Sequence, residues 1–214
     1  MQYNRGILDK YALQSGTDKS SKHHDYCRYY EPYLRDFQNQ PINVLEIGVG
    51  GDEDENRGGE SLKMWYKYFS KAKIIGVDIT NKKGIINDRT KFYQMSQDDK
   101  ESLTSMIKTE GTPSVIIDDA SHISPLTIKT FEILFPLLAS GGIYIVEDLE
   151  TSYWEDLGYK GNKDPKKGKT IVNYLKELVD ATNSHCYREE FRDEYSSKID
   201  FIHFFKQTCI IRKV

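Results

Sequence analysis

The chain predicts an α/β fold, a doubly wound and mostly parallel sheet of seven strands closed by a C-terminal antiparallel hairpin. Three observations predict it. Short apolar runs alternate with stretches of helical period from residue 43 to residue 182, the pattern that right-handed crossovers produce. Glycines follow the first run (Gly48, Gly50, Gly51) and precede the fifth (Gly141, Gly142), where a chain reverses between strand and helix. The last segment, residues 199–205 and 208–212, reads as two strands joined by a short turn.

Residues 1–40 are polar and aromatic, with a helix expected over 26–37. Pro41 opens the first strand, Asn43-Val-Leu-Glu-Ile47, which runs into the glycine turn. Residues 61–69 read as a helix because Leu62, Trp65 and Tyr66 recur at i, i+3 and i+4. Strands follow at 73–79 and 91–95, then a helix at 98–108 whose apolar stripe is Leu103, Met106 and Ile107. Residues 114–119 make the fourth strand, 126–138 a helix stopped at Ser140-Gly141-Gly142, and 143–148 the fifth strand. Between 158 and 169 lies a glycine-punctuated loop with five lysines, then a helix at 170–182. No internal repeat or linker interrupts this, so one domain over 1–214 is expected, with residues 1–40 a helical and loop cap over a ligand site.

At 214 residues the chain is long enough for a substantial core. Its net charge of −3 and pI of about 6.0 lack the basic footprint of a nucleic-acid partner. No apolar run approaches the roughly 20 residues a bilayer span needs, and the first residues lack the apolar centre of a signal peptide. Neither a nucleic acid nor a membrane is therefore expected as partner. Cys27, Cys186 and Cys209 are widely spaced without metal-ligand pattern, which reads as reduced thiols in a cytoplasmic protein.

The glycine turn marks a ligand. It departs from the dinucleotide pattern G-x-G-x-x-G, since Asp52, Glu53, Asp54 and Glu55 follow Gly51. A pyrophosphate would meet that negative cluster. A cationic ligand without phosphate suits it better, and S-adenosylmethionine, with its sulfonium and ammonium, is one. Asp78, ending the second strand, is placed to hold two ribose hydroxyls. Gln97 and Asp98 follow the third strand where an adenine would lie. Ser61 is expected to cap the next helix and admit the methionine tail to its backbone N–H groups. The plain alternatives are a tight turn without ligand, a buried structural carboxylate at Glu46 and a helix cap at Asp98.

The chemistry is expected at two other strand ends. Val115-Ile-Ile117 runs into Asp118-Asp119-Ala-Ser-His122, and Ile143-Tyr-Ile-Val146 into Glu147-Asp148. Parallel strands would bring these carboxylates and the histidine to one edge, beside the crevice where open α/β sheets bind ligands. Oxygen-rich clusters suit Mg²⁺ or another hard divalent cation, with the histidine free to accept a proton. Adjacent strand residues face opposite ways, so Asp118 suits a cofactor or supporting role, and Glu147 and Asp148 both reach one ion only if the strand ends there. For His122 the plain alternative is a helix cap, with Ser121 and Ser124 in competition. The loop lysines read as a solvated surface or as a lid attracting an anionic acceptor.

Leu45-Glu46-Ile-Gly48-Val-Gly50-Gly51, Gly58-Gly-Glu-Ser61-Leu-Lys-Met-Trp65, Ile117-Asp118-Asp119-Ala-Ser-His122 and Gly141-Gly-Ile-Tyr-Ile-Val-Glu147-Asp148-Leu-Glu-Thr-Ser-Tyr-Trp154 together resemble the macrolide-sugar O-methyltransferases. Ser15-Gly-Thr17-Asp-Lys19, with His24 and Tyr26, resembles the entry to their catalytic domain. The resemblance covers nearly the whole chain. It implies a Rossmann-like class I methyltransferase fold and Mg²⁺-dependent methyl transfer from S-adenosylmethionine to a sugar hydroxyl. Asp119, Glu147 and Asp148 carry over as metal ligands, His122 as general base. Glu46, Gly48, Gly50, Ser61, Asp78, Gln97, Asp98 and Asp118 carry over as cofactor contacts, joined by Thr17, Lys19 and Tyr26. The acceptor implied is a small carbohydrate or glycosylated molecule, nucleotide-linked sugars included. Self-association stays open, since the segment the larger family members use for it is not matched. The rival readings are a metal-dependent methyltransferase for a catechol-like hydroxyl, a nicotinamide-dependent oxidoreductase and a binding module without activity.

Overall fold

The computed structural model describes residues 6–84 and 86–214, so the signal-peptide reading of the first five residues lies outside the described residues. The chain divides into two compact units, residues 1–96 and 97–214. Its strands make up a seven-stranded mixed sheet, mostly parallel with antiparallel strands at the C-terminal end, as the alternation predicted.

The first unit holds α1 (Ile7–Ser15), α2 (Cys27–Leu34), β1 (Asn43–Ile47), α3 (Glu60–Tyr68), β2 (Lys73–Asp78) and β3 (Thr90–Gln94). β2 lies between β1 and β3 and pairs with both in parallel. The interiors of β1 and β2 are buried throughout, which explains their near-continuous apolar runs. α3 turns Leu62, Met64, Trp65 and Tyr68 inward. It approaches β2 so closely that a Cβ on Gly76 would lie 2.6 Å from Leu62 Cδ1. The Arg89 guanidinium donates to the carbonyls of Tyr66, Phe69 and Ala72 at 2.8–2.9 Å, closing the C-terminal end of α3.

α1 was not anticipated, and the reason is physical. Its N-cap Gly6 has no side chain to offer, and its first N–H groups donate instead to the Glu31 carboxylate of α2, at 3.0 Å from Ile7 and 3.4 Å from Leu8. A cap supplied from 23 or 24 residues away leaves no local signal.

The second unit holds α4 (Lys100–Glu110), β4 (Val115–Asp118), α5 (Ser124–Leu134), β5 (Ile143–Val146), α6 (Ile171–Glu177), β6 (Ile199–Phe204) and β7 (Cys209–Lys213). β4 pairs with β5 in parallel, while β5–β7 and β7–β6 are antiparallel. Phe131 of α5 stacks on Phe135 and meets Tyr144, Tyr174 and Tyr195, an aromatic core that anchors α5 to β5. Two helix limits differ from expectation. The cap of α4 is Asp99, which accepts from Ser102 N at 3.1 Å, one residue beyond the Asp98 considered for that role. The helix expected over 170–182 stays α-helical only through Glu177 and continues as 3₁₀ turns from Leu178 to Cys186.

Candidate active site

In the second unit, β4 and β5 end in register. Asp118 pairs with Val146, and Glu147 N donates to Asp118 O at 3.0 Å. The segments that leave the two strands therefore start side by side. β5 stops at Val146, and Asp148 takes a left-handed backbone at φ +53°, the turn required if Glu147 and Asp148 are to leave the strand. His122 has the same uncommon conformation at φ +55°. Two non-glycine residues held left-handed in adjacent loops signal a constrained site.

These turns bring Asp119, His122 and Asp148 together. His122 Nε2 lies 3.4 Å from Asp148 Oδ2 and 3.8 Å from Asp119 Oδ1, and donor atoms of the three residues all fall within 4.8 Å of one another. Each side chain is about 20 % exposed, open enough to meet a ligand. His122 does not cap α5: the N-cap is Ile123, and the helix start carries no side-chain cap. Ser121, a competitor for that role, has its hydroxyl accept from Ile123 N at 3.3 Å inside the loop. Glu147 neighbours this triad in sequence, but its carboxylate stands outside the triad and is buried.

Three further residues shape the loops. The Thr151 hydroxyl lies 3.1 Å from His122 O and 2.8 Å from Asp148 O, so it spans both left-handed turns. Sequence reading missed it, although it stands three residues past Asp148. Gln97, expected at an adenine, has its amide nitrogen donate to Thr130 Oγ1 at 2.9 Å while its oxygen accepts from Ser121 N at 3.1 Å. It thus ties the loop that carries Asp119 and His122 to α5. Asp118 is wholly buried, and burial is the main cause that pushes its carboxyl up to about 7. The Asp119 charge adds to this rise, while hydrogen bonds from Ala120 N and the Tyr144 hydroxyl oppose it. Asp98 sits at the surface in an ion pair with Lys129 at 3.1 Å.

The first unit supplies the glycine turn. Gly48, Gly50 and Gly51 all have positive φ, between +72° and +84°, which only glycine adopts without strain. A Cβ on Gly51 would meet the Arg57 backbone at 2.3 Å, and one on Gly58 the Gly50 carbonyl at 2.3 Å, so the acidic loop is pinched shut at its base. Lys82 donates to the carbonyls of Asp52 and Asp54, and Lys83 pairs with Glu55. Asp78 accepts from Val49 N at 3.0 Å on one oxygen and from Thr80 N at 2.9 Å on the other. Each carboxylate oxygen has a second lone pair, so the acid is held in place and still able to accept from hydroxyls.

Ser61 departs from expectation. α3 begins after Gly59 with no side-chain cap, and the Ser61 hydroxyl donates instead to Glu46 Oε2 at 2.8 Å. Trp65 Nε1 donates to the same oxygen at 3.2 Å, and Lys19 Nζ lies 3.6 Å from Oε1. Glu46 and Lys19 are fully buried, so their carboxylate and ammonium face one another away from water, with both neutral donors directed at the other Glu46 oxygen. Thr17 and Tyr26 are buried beside them in sequence, with Thr17 Oγ1 accepting from Lys19 N at 3.5 Å.

The lysine loop is tied down at several points. Ser124 N donates to Tyr159 O at 3.1 Å, and Asn162 N donates to Ser152 O at 2.8 Å. Lys163 pairs with Asp156 and Glu155, and Lys167 with Asp164. No helix among the described residues is long and apolar enough to cross a membrane.

Comparison with known proteins gives a consistent answer. No protein-family model matches the chain. It is 41 % identical to the 8-demethyl-8-alpha-L-rhamnosyl tetracenomycin-C 2'-O-methyltransferase of Streptomyces olivaceus, over 82 % of this chain and 46 % of that protein. It is 38 % identical to the mycinamicin VI 2''-O-methyltransferase of Micromonospora griseorubida, over 81 % of this chain and 43 % of that protein. The structure of the methyltransferase MycE from the mycinamycin pathway, in complex with Mg and SAH, superposes with a TM-score of 0.91 at 32 % identity, over 98 % of this chain and 54 % of that one. The chain thus spans about half the length of the relatives it matches, and the fold is that of class I methyltransferases.

Proposed function

We propose, for a chain that belongs to the macrolide-sugar O-methyltransferase family, that it transfers a methyl group from S-adenosylmethionine to a hydroxyl of a sugar or glycosylated small molecule with the help of a divalent cation, Mg²⁺ by preference. The observation that carries the reading is the convergence of Asp119, His122 and Asp148. The residues fit a hard cation, because two partly exposed carboxylates face one another across the histidine. Asp119 and Asp148 would hold it, with Glu147, next in the chain, as a further carboxylate. When bound, the cation lowers the pKa of the acceptor hydroxyl, and S-adenosylmethionine supplies the activated methyl.

The chain's own groups do the remainder. His122 accepts the hydroxyl proton, and Asp119 and Asp148 beside its Nε2 stabilise the imidazolium that forms. Gln97 and Thr151 hold the loops that carry these groups. Asp78 accepts from the cofactor ribose, and the turn at Gly48 and Gly50 lets a ligand approach the backbone. Glu46, Lys19 and Ser61 form a buried polar group on the strand that feeds that turn, and Thr17 and Tyr26 stay assigned to the cofactor by their resemblance to the family's motif. We place the protein in the cytoplasm as a small-molecule enzyme, consistent with three free thiols.

Metal and base separate kinetically. Chelation should abolish methyl transfer to a rhamnoside panel and Mg²⁺ should restore it, while His122→Ala should lose about 10²–10⁴-fold in rate with cation binding retained. Full activity in EDTA would remove the cation from the mechanism. Transfer to catechols and not to glycosides would favour the related non-sugar reading.

A further inference from the structure

We propose that Trp154 and Tyr159 form an aromatic platform that stacks against the C–H face of the acceptor's deoxysugar ring; this rests on the sugar-methyltransferase reading. The two rings pack edge to face with centroids 5.4 Å apart, and Trp154 keeps 39 % of its surface exposed. Aromatic rings that pair an apolar face with a polar edge are the side chains enriched where proteins meet ligands and partners.

The platform is fastened to the loops that carry Asp119, His122 and Asp148 at two points and is braced internally at a third. Thr151, three residues before Trp154, spans the His122 and Asp148 carbonyls. The Tyr159 carbonyl accepts from Ser124 N, two residues past His122. Gly161 packs so tightly that a Cβ there would lie 2.6 Å from Trp154 N and from Thr151 O. The rings are therefore placed by the same short segments that place the base and carboxylates. The mixed chemistry suits a sugar: a hydroxyl-rich edge for Asp119, His122 and Asp148, and an apolar C–H face for the rings. Deoxysugars present more of that face, and the relatives' names specify rhamnosyl and olivosyl acceptors.

The chain has two tryptophans, and Trp65 is fully buried, so a ligand-induced change in emission reports Trp154. Titrating the full chain with methyl α-L-rhamnopyranoside should shift the emission saturably and protect it from acrylamide quenching. The shift should vanish in Trp154→Phe, which retains Trp65. In methyl transfer to the same glycoside, Trp154→Ala should raise KM about five- to tenfold with kcat little changed, and Trp154→Phe should recover most of the loss. A wild-type emission unmoved by the rhamnoside, or moved only by a planar aromatic such as 1-naphthol, overturns the proposal. So does an unchanged KM in Trp154→Ala. A normal emission shift without any methyl transfer would count against the transferase reading and leave the platform standing.

Discussion

The hydroxyl of Thr151 lies 3.1 Å from the carbonyl oxygen of His122, and the same hydroxyl is 2.8 Å from the carbonyl oxygen of Asp148. One hydrogen is shared between two carbonyls, each belonging to a residue held at positive φ. That hydroxyl thereby ties together the two turns that set the His122 imidazole beside the Asp148 carboxylate.

Thr151→Val keeps the shape and removes the donor. It should cost about 1 kcal/mol in unfolding free energy and a larger share of transfer rate, because both loops relax at once. Thr151→Ser should remain near wild type. Equal activities of Val and Ser at 151 would leave the residue with packing alone.

Asp78 is held by two backbone N–H groups, so its carboxylate is oriented before any ligand arrives. Asp78→Asn keeps the size while turning one acceptor into a donor. S-adenosylhomocysteine binding, followed by calorimetry, should weaken about ten- to a hundredfold. Unchanged affinity in a folded Asp78→Asn protein removes this residue from the ribose site.

The lysine loop is pinned at Tyr159 and Asn162, and Asn173 Nδ2 donates to the carbonyls of Lys167 and Gly168 at 3.0 Å. Lys166 and its neighbours remain exposed between these ties. Within this loop, limited trypsin digestion should cut first after Lys166, read by mass spectrometry of the fragments. A first cut after Lys160, beside the tightly packed Gly161, would show that the ties to Thr151 and Ser152 open readily.

What the sequence made legible follows from distance along the chain. Strand ends, glycine turns and the acidic residues after β4 and β5 are local features, and Asp119, His122 and Asp148 were read from them directly. The need for the chain to turn after Glu147 followed from side-chain alternation alone, and Asp148 supplies that turn. Long-range partners were not legible. Ser61 looked like a helix cap, yet it donates to Glu46, fifteen residues upstream. Gln97 was read only as an adenine contact, and the bridge its amide makes between Thr130 and Ser121 was not foreseen. Polar side chains carry no mark of which buried acceptor they will meet, so their roles needed the folded chain.

Asp118 should make stability depend on pH in a direction opposite to that of most carboxylates. Burial raises its carboxyl to about 7 from an ordinary value of 3.8. Between those two values the native state holds a proton that the unfolded chain has released. Its stabilising contribution is therefore complete below about pH 4, declines as pH rises, and is gone above about pH 7, by at most about 1.4 kcal/mol per pH unit. Asn at this position has no proton to release. In ligand-free protein, the melting temperature of Asp118→Asn relative to wild type should therefore climb from pH 4 to pH 7 and level off beyond. Groups remote from this position titrate in both proteins alike, so the difference reports Asp118 together with its coupling to the neighbouring Asp119. Parallel curves over that window would mean that Asp118 keeps an ordinary carboxylate in the fold, with its burial offset by the Ala120 N–H and the Tyr144 hydroxyl.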